Sequence, residues 1–114
     1  MKDDPILTTM ITELKRGTLT LCVLSQLKQP QYGYSLLQLL ADKHIPIEAN
    51  TLYPLLRRLE SQELLSSTWD TTEARPRKFY VLSEKGKALL CALTKEWQEQ
   101  YQCVGALLAE EDHE

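Results

Sequence analysis

Ile47-Glu-Ala-Asn-Thr-Leu-Tyr-Pro-Leu-Leu-Arg-Arg-Leu-Glu60 is the stretch on which the reading of this chain turns. Leu52, Leu55, Leu56 and Leu59 recur at spacings of three and four, which places them on one side of a helix running to about residue 62. The opposite side carries Asn50, Tyr53, Pro54, Arg57, Arg58 and Ser61: two cations, an amide, a phenol and no carboxylate. Arginine pairs with a phosphate or a guanine edge and asparagine with an adenine edge, so this face has the chemistry of a DNA-reading surface. The same residues also suit an ordinary solvated helix. Asn50 is a good helix cap, and Pro54, placed near the first turn, would cost little through its missing N–H. Two arginines do not choose between these readings, and the rest of the chain has to.

A chain of 114 residues holds one domain and one modest core, and its hydrophobic and charged fractions, 43% and 25%, belong to the soluble globular class. No apolar run approaches the roughly 18 residues of a membrane span. Met1-Lys-Asp-Asp-Pro5 has no cationic segment leading into an apolar one, so no signal peptide is expected and the cytoplasm is the expected compartment. Cys22, Cys91 and Cys103 are odd in number, widely spaced and set among apolar neighbours, which reads as buried free thiols. With His44 and His113 they make no zinc spacing, and neither metal nor cofactor is expected. The net charge of −3 speaks against nucleic acid until its distribution is read. Residues 1–95 carry all 13 Lys and Arg with 10 Asp and Glu, a balance of +3. Residues 96–114 carry the remaining six acids and no Lys or Arg, a balance of −6. The acid lies in a tail, away from the arginine-bearing stretch.

Along the chain, Ile6, Leu7, Met10, Ile11, Leu14, Thr18, Leu21, Leu24 and Leu27 keep helical spacing and predict one long helix over residues 5–27, with Pro5 at its start. Gly17 falls inside it, where close packing against another element is the expected reason. Pro30 and Gly33 punctuate a break, and a short helix over 34–42 follows, burying Leu36, Leu37, Leu40 and Ala41. Pro46 separates it from the arginine-bearing helix. Two helices joined by a short turn fit a helix-turn-helix. Strands over 64–69 and 77–82, joined by a loop over 70–76, make a hairpin directly behind it, the position of a wing. Arg75, Arg77 and Lys78 lie within four residues at its tip and suit a phosphate backbone, although an edge hairpin protected by charge would look similar. Ser83 caps a last helix over 84–109. Its stripe of Leu90, Leu93, Trp97, Tyr101, Val104 and Leu108 seeks another helix. At about 39 Å it is longer than so small a body can cover, so the first helix and a second copy of the chain are the expected cover.

Several blocks carry a family resemblance. They are Gly17-Thr-Leu19, Tyr32-Gly-Tyr34, Asn50-Thr-Leu-Tyr-Pro-Leu-Leu-Arg-Arg-Leu-Glu60, Leu64-Leu65, Trp69, Arg75-Pro-Arg-Lys-Phe-Tyr80, Leu82-Ser83 and Gly86. In this order and spacing the chain resembles the PadR-type winged-helix transcriptional regulators from about residue 14 to about residue 97. The resemblance implies a mainly α fold with a small β-hairpin: a winged helix-turn-helix over 1–82 and a dimerisation helix with an acidic tail over 83–114. A single terminal helix resembles the short branch of the family. The chain departs from the family pattern at Asn50 and Glu63, where Gly is common, and at Ser83, where Thr is common.

The function so implied is that of a homodimeric, sequence-specific repressor on an inverted-repeat operator in double-stranded DNA. Its DNA-binding set is Asn50, Thr51, Tyr53, Pro54, Arg57, Arg58, Arg75, Arg77 and Lys78. Short PadR-like regulators that respond to planar drugs use a tryptophan at a dimer interface, and Trp97 is similarly placed. Trp97, with Leu93 and Tyr101 beside it, is the candidate site for a small planar aromatic effector, and Glu96 and Glu99 nearby suit a cationic one. The bland alternative for Trp97 is interface packing without a pocket. A winged-helix protein-interaction module that does not bind DNA is the competing function, favoured by the net acidity. No Gly-x-Ser-x-Gly elbow, His-rich metal motif or phosphate-binding Gly loop occurs, so an enzyme is not expected.

Overall fold

The computed structural model describes residues 4–110 and puts the leucines of the quoted stretch at the centre of the fold. Helices α1 (Pro5–Arg16) and α2 (Leu19–Ser25) precede a short strand β1 (Gln31–Tyr32), and then come α3 (Gly33–Asp42) and α4 (Ala49–Ser61). Strands β2 (Leu65–Asp70) and β3 (Arg77–Leu82) lead into the long α5 (Glu84–Ala109). The strands form one antiparallel sheet in the order β1-β3-β2. The architecture is the expected winged helix-turn-helix followed by a long helix. The signal-peptide reading rests partly on residues 1–3, and three of the six acids of the tail fall in residues 111–114; both segments lie outside the described residues.

Leu52, Leu55, Leu56 and Leu59 of α4 are buried together with Val23, Leu24 and Leu27, Leu36 and Leu40, Leu64 and Leu65, Tyr80, Leu82 and Leu90. Helices α2, α3 and α4, strands β2 and β3 and the first turns of α5 all contribute to this one cluster. Two glycines permit the close approaches. At Gly33 a Cβ would lie 2.4 Å from Cε1 of Tyr53, so the start of α3 sits directly under a ring of α4. At Gly86 a Cβ would meet the Leu64 carbonyl oxygen at 2.0 Å, so the first turn of α5 rests on the backbone between α4 and β2. Ser83 caps α5 as expected: its Oγ accepts from the Gly86 N–H at 3.0 Å and donates to the Glu63 carbonyl at 2.7 Å.

Several expectations need correction. The first helix is two helices, broken at Gly17 and Thr18. Thr18 leaves helical geometry (φ −105°, ψ 2°), and its N–H and its hydroxyl both turn back to the Lys15 carbonyl. Low helix propensity at Gly17 and a threonine side chain competing for the backbone account for the break. Close packing does not explain Gly17, since a Cβ there meets nothing nearer than the Leu14 carbonyl at 3.8 Å. The break at Pro30 contains a strand, because Gln31 and Tyr32 pair with Tyr80 and Phe79. On α3, Leu36 and Leu40 are buried, Leu37 is half-buried and Ala41 is exposed, since the helix ends at Asp42 before anything covers its last turn. Glu48, not Asn50, occupies the N-cap of α4, and Pro54 falls inside the helix beyond its first turn. The Asn50 carbonyl thus lacks its helical partner, but Asn50 is exposed and water can take that place. The cysteines are not buried: Cys22 is half-buried, and Cys91 and Cys103 lie on exposed positions of α5.

His44 and Glu63 close α3 and α4 with left-handed backbone, φ 66° and 65°. Following Glu63, the Leu64 N–H returns to the Leu59 carbonyl, the bond of a Schellman cap. Left-handed geometry costs a non-glycine residue about 1–2 kcal/mol, part of which glycine returns as unfolded-state entropy. Glu63→Gly is therefore expected to stabilise the protein by about 0.5–1 kcal/mol. Urea denaturation at fixed protein concentration checks this, and a midpoint that fails to rise contradicts it.

Candidate nucleic-acid interface

Burying four leucines on one side of α4 turns the other side outward. Asn50, Thr51, Pro54, Arg57, Arg58 and Ser61 are exposed. Among the described residues Arg57 has no ion pair or hydrogen bond. Arg58 leans toward α2, its Nη2 3.5 Å from Thr20 Oγ1. Tyr53 is half-buried with its ring over Gly33, so it holds α3 and α4 at their angle and offers solvent only part of its surface. Two basic residues that the sequence reading passed over stand close by. Arg16 shares a shallow groove with Thr51, Pro54 and Arg58, and Lys15, Arg16 and His44 line another, of about 640 Å³, with Asn50 and Thr51. Their place beside α4 follows from the break at Gly17, which periodicity did not reveal.

The wing is fastened at two points. Glu60, at the last turn of α4, pairs with Lys78 Nζ at 3.0 Å and accepts a hydrogen bond from Ser67 Oγ. The Ser67 and Lys78 bonds hold the Glu60 carboxyl below its ordinary range, and Glu60 in turn raises Lys78. On the other sheet face the Tyr32 hydroxyl donates to Asp70 Oδ2 at 2.6 Å, while Thr72 donates from its N–H and hydroxyl to Oδ1 at 3.1 and 2.7 Å. This is an Asx-type turn that starts the wing loop. These bonds, that from Tyr32 first, bring the Asp70 carboxyl down to about 2, and the same contact raises the Tyr32 phenol. Arg77 lies 4.3 Å from the centre of the Tyr32 ring and pairs with Glu73 at 3.2 Å. The three basic wing residues are therefore not equivalent. Lys78 is engaged with Glu60 and Arg77 with Glu73 and Tyr32, whereas Arg75 is exposed and has no ion pair among the described residues.

A recognition-type helix with a free arginine, and a wing fixed beside it, is the geometry of a DNA-binding domain. The sequence profile described as "Transcriptional regulator PadR-like family" matches residues 20–92. The chain belongs to the PadR-like family. A crystal structure of a PadR family transcriptional regulator from Eggerthella lenta is 52% identical, with a TM-score of 0.87 over 90% of this chain and 92% of that one. A PadR-like transcription factor from Bacteroides fragilis is 34% identical, with a TM-score of 0.72 over 87% and 98%. An uncharacterised protein of Lysinibacillus sphaericus is 32% identical over 93 residues, 77% of this chain and 85% of that one. Membership makes DNA-binding transcriptional regulation the activity of this PadR-like chain, and the two similar crystal structures are of transcriptional regulators, which are not enzymes. No helix among the described residues is long and apolar enough to cross a membrane.

The second group of expected site residues also comes together. Leu93, Trp97 and Tyr101 line one open groove of about 710 Å³ between α5 and the α1–α2 junction, facing Leu14, Gly17 and Leu21. The Trp97 and Tyr101 rings lie 5.6 Å apart at 34°. Glu96 is on the lining and Glu99 is not. Sequence reasoning missed Glu60, Tyr32 and Asp70 as the fastenings of the wing. Glu60 and Tyr32 did stand in the quoted family blocks, which was the available signal.

The lowered Asp70 pKa carries a pH dependence. Its contribution is fully present above the ordinary carboxylate range and is lost as pH falls toward about 2. By NMR, the Asp70 carboxyl should titrate near 2 in the wild type and closer to an ordinary aspartate in Tyr32→Phe. Identical midpoints in the two proteins would show that the phenol does not hold it.

Proposed function

We propose that this PadR-like chain is a cytoplasmic, homodimeric repressor of an inverted-repeat operator, with residues 1–82 binding DNA and residues 83–114 supplying the dimerisation helix and acidic tail. The observation that carries the DNA-binding half is the unpaired Arg57 on the exposed face of α4. Asn50, Thr51 and Pro54 accompany it. In this reading α4 enters the major groove with Arg57 at a base edge or a phosphate, Arg58 at the margin, and Arg75 on the backbone. Arg77 and Lys78 act chiefly by shaping the wing, and Tyr53 by fixing α4 on α3.

The dimer rests on uncovered apolar surface. Leu14 is 77% exposed, Tyr101 68% and Leu108 60%, and no residue of α1 is buried. The chain measures 63 × 35 × 22 Å with a radius of gyration of 17.2 Å, against about 13 Å for an ordinary domain of this length. A second copy laying its own α1 and α5 on this surface would bury it. In such a dimer the groove at Trp97 would be narrowed by the partner into a slot for a planar aromatic effector. An effector there would relieve repression only through a higher affinity for a dimer whose recognition helices are wrongly spaced for the operator.

The test starts with selection of a duplex from a randomised 30-base-pair library against the wild-type protein. Arg57→Ala should weaken binding to that duplex by about 1–3 kcal/mol and relax its sequence preference where the contact is to a base. Arg75→Ala should weaken all sequences alike and reduce the salt slope by about one. Wild-type affinity in both variants rules out this docking. For the effector, planar cationic dyes should quench Trp97 and loosen the selected duplex, and both effects should vanish in Trp97→Ala. Dye binding without effect on DNA leaves Trp97 a packing residue.

A further inference from the structure

Trp69 is outside the binding set considered so far. It is the cross-strand partner of Lys78, and residues opposite one another in an antiparallel pair share a sheet face. On that face Leu65, Tyr80 and Leu82 are buried, and Lys78 reaches α4 through Glu60. The indole therefore stands on the α4 side of the wing, at its outer end. It is nevertheless 60% exposed. Single exposed apolar side chains are common and by themselves mean little. The surroundings of this one are specific. It lies in the angle between the two elements that carry the free cations: Arg57 is one turn before Glu60 on α4, and Arg75 just precedes β3. The charge inside the angle is already balanced, because Lys78, with Nζ 6.0 Å from the indole centre, is paired with Glu60. Asp70, next in the chain, is turned to the other face and held by Tyr32.

The wing and the recognition helix thus present an apolar ring on the same two elements that carry Arg57 and Arg75, cations that suit phosphates. We propose that Trp69 is a separate DNA contact that packs on apolar DNA surface, either a deoxyribose ring or a thymine methyl group. The inference rests on the DNA-binding reading above and adds a prediction which that reading lacks. A contact of this kind neutralises no phosphate, so its loss lowers affinity without changing the number of counterions released.

The chain has two tryptophans, so Trp97→Phe leaves Trp69 as its only indole, and the affinity of that variant for the selected duplex is the reference. Titration with the duplex should change the Trp69 emission. In this background Trp69→Ala should lose roughly tenfold or more in affinity at an unchanged salt slope, while Trp69→Phe, which keeps a ring, should lose much less. Replacing thymine by uracil in the duplex separates the two apolar partners. If the difference between Trp69 and its alanine variant disappears, the contact is to a methyl group; if it persists, the contact is to sugar. An emission that ignores a bound duplex, an alanine variant with reference affinity, or a salt slope that falls with Trp69→Ala each overturns the proposal. Failure of any duplex to be selected would instead overturn the DNA-binding reading, and this inference with it.

Discussion

Burial of the leucine ridge of α4 is the constraint on which the rest depends. Leu52, Leu56 and Leu59 are essentially inaccessible and Leu55 nearly so. At about 1.5–3 kcal/mol for each buried side chain, the ridge outweighs the roughly 3 kcal/mol that a proline costs inside a helix, which is how Pro54 is carried there. Once the ridge is fixed, so is the orientation of the helix about its own axis. Arg57 and its neighbours then face outward as a consequence of packing. The Tyr53 ring on Gly33 fixes the remaining variable, the angle between α3 and α4.

The wing is held by polar contacts instead, and these sort its charges. Glu60 joins α4 to β2 and β3 through Ser67 and Lys78, and Asp70 joins β2 to β1 through Tyr32. Each contact occupies a group that would otherwise face solvent. Arg57 on the helix and Arg75 on the loop are left without an ion pair among the described residues, and between these two elements the Lys78–Glu60 pair balances its own charge beside Trp69. This division bears on how a chain of net charge −3 can bind a polyanion. Among the described residues only Arg77, Lys78 and Lys87 are ion-paired, so most of the basic residues keep their charge for solvent or a polyanion, and six acids lie in the last 19 residues.

The sequence made the helical face of α4, the wing and the capped α5 legible because each rests on local periodicity or a local cap. Ser83 and the span of α5 are instances, since both follow from neighbours in the chain. Contacts made between distant segments were not legible. Lys78 read as a free cation because its partner Glu60 is remote in sequence, and so is the Tyr32 ring beside Arg77, although the Glu73 that pairs with Arg77 is only four residues away. Tyr53 read as a surface phenol because nothing local announces the glycine beneath it. The first helix kept its apolar spacing straight through Gly17 and Thr18, so periodicity could not register a break made by two residues. The cysteines were misplaced because apolar neighbours on α5 implied burial on a helix that extends beyond its own core. Glu63 is a different case: the family's frequent glycine at that position matches a positive φ in the structure.

Beyond Leu93 the stripe of α5 is uncovered in the single chain, as is α1, and the central claim is that two copies join there to set two α4 helices on one DNA duplex. Hydroxyl-radical footprinting of the selected duplex tests this most directly. Two protected patches related by two-fold symmetry are expected, with centres about 10–10.5 base pairs apart or a whole multiple of that spacing. A single protected patch with no symmetry mate, at protein concentrations that saturate the duplex, would contradict it.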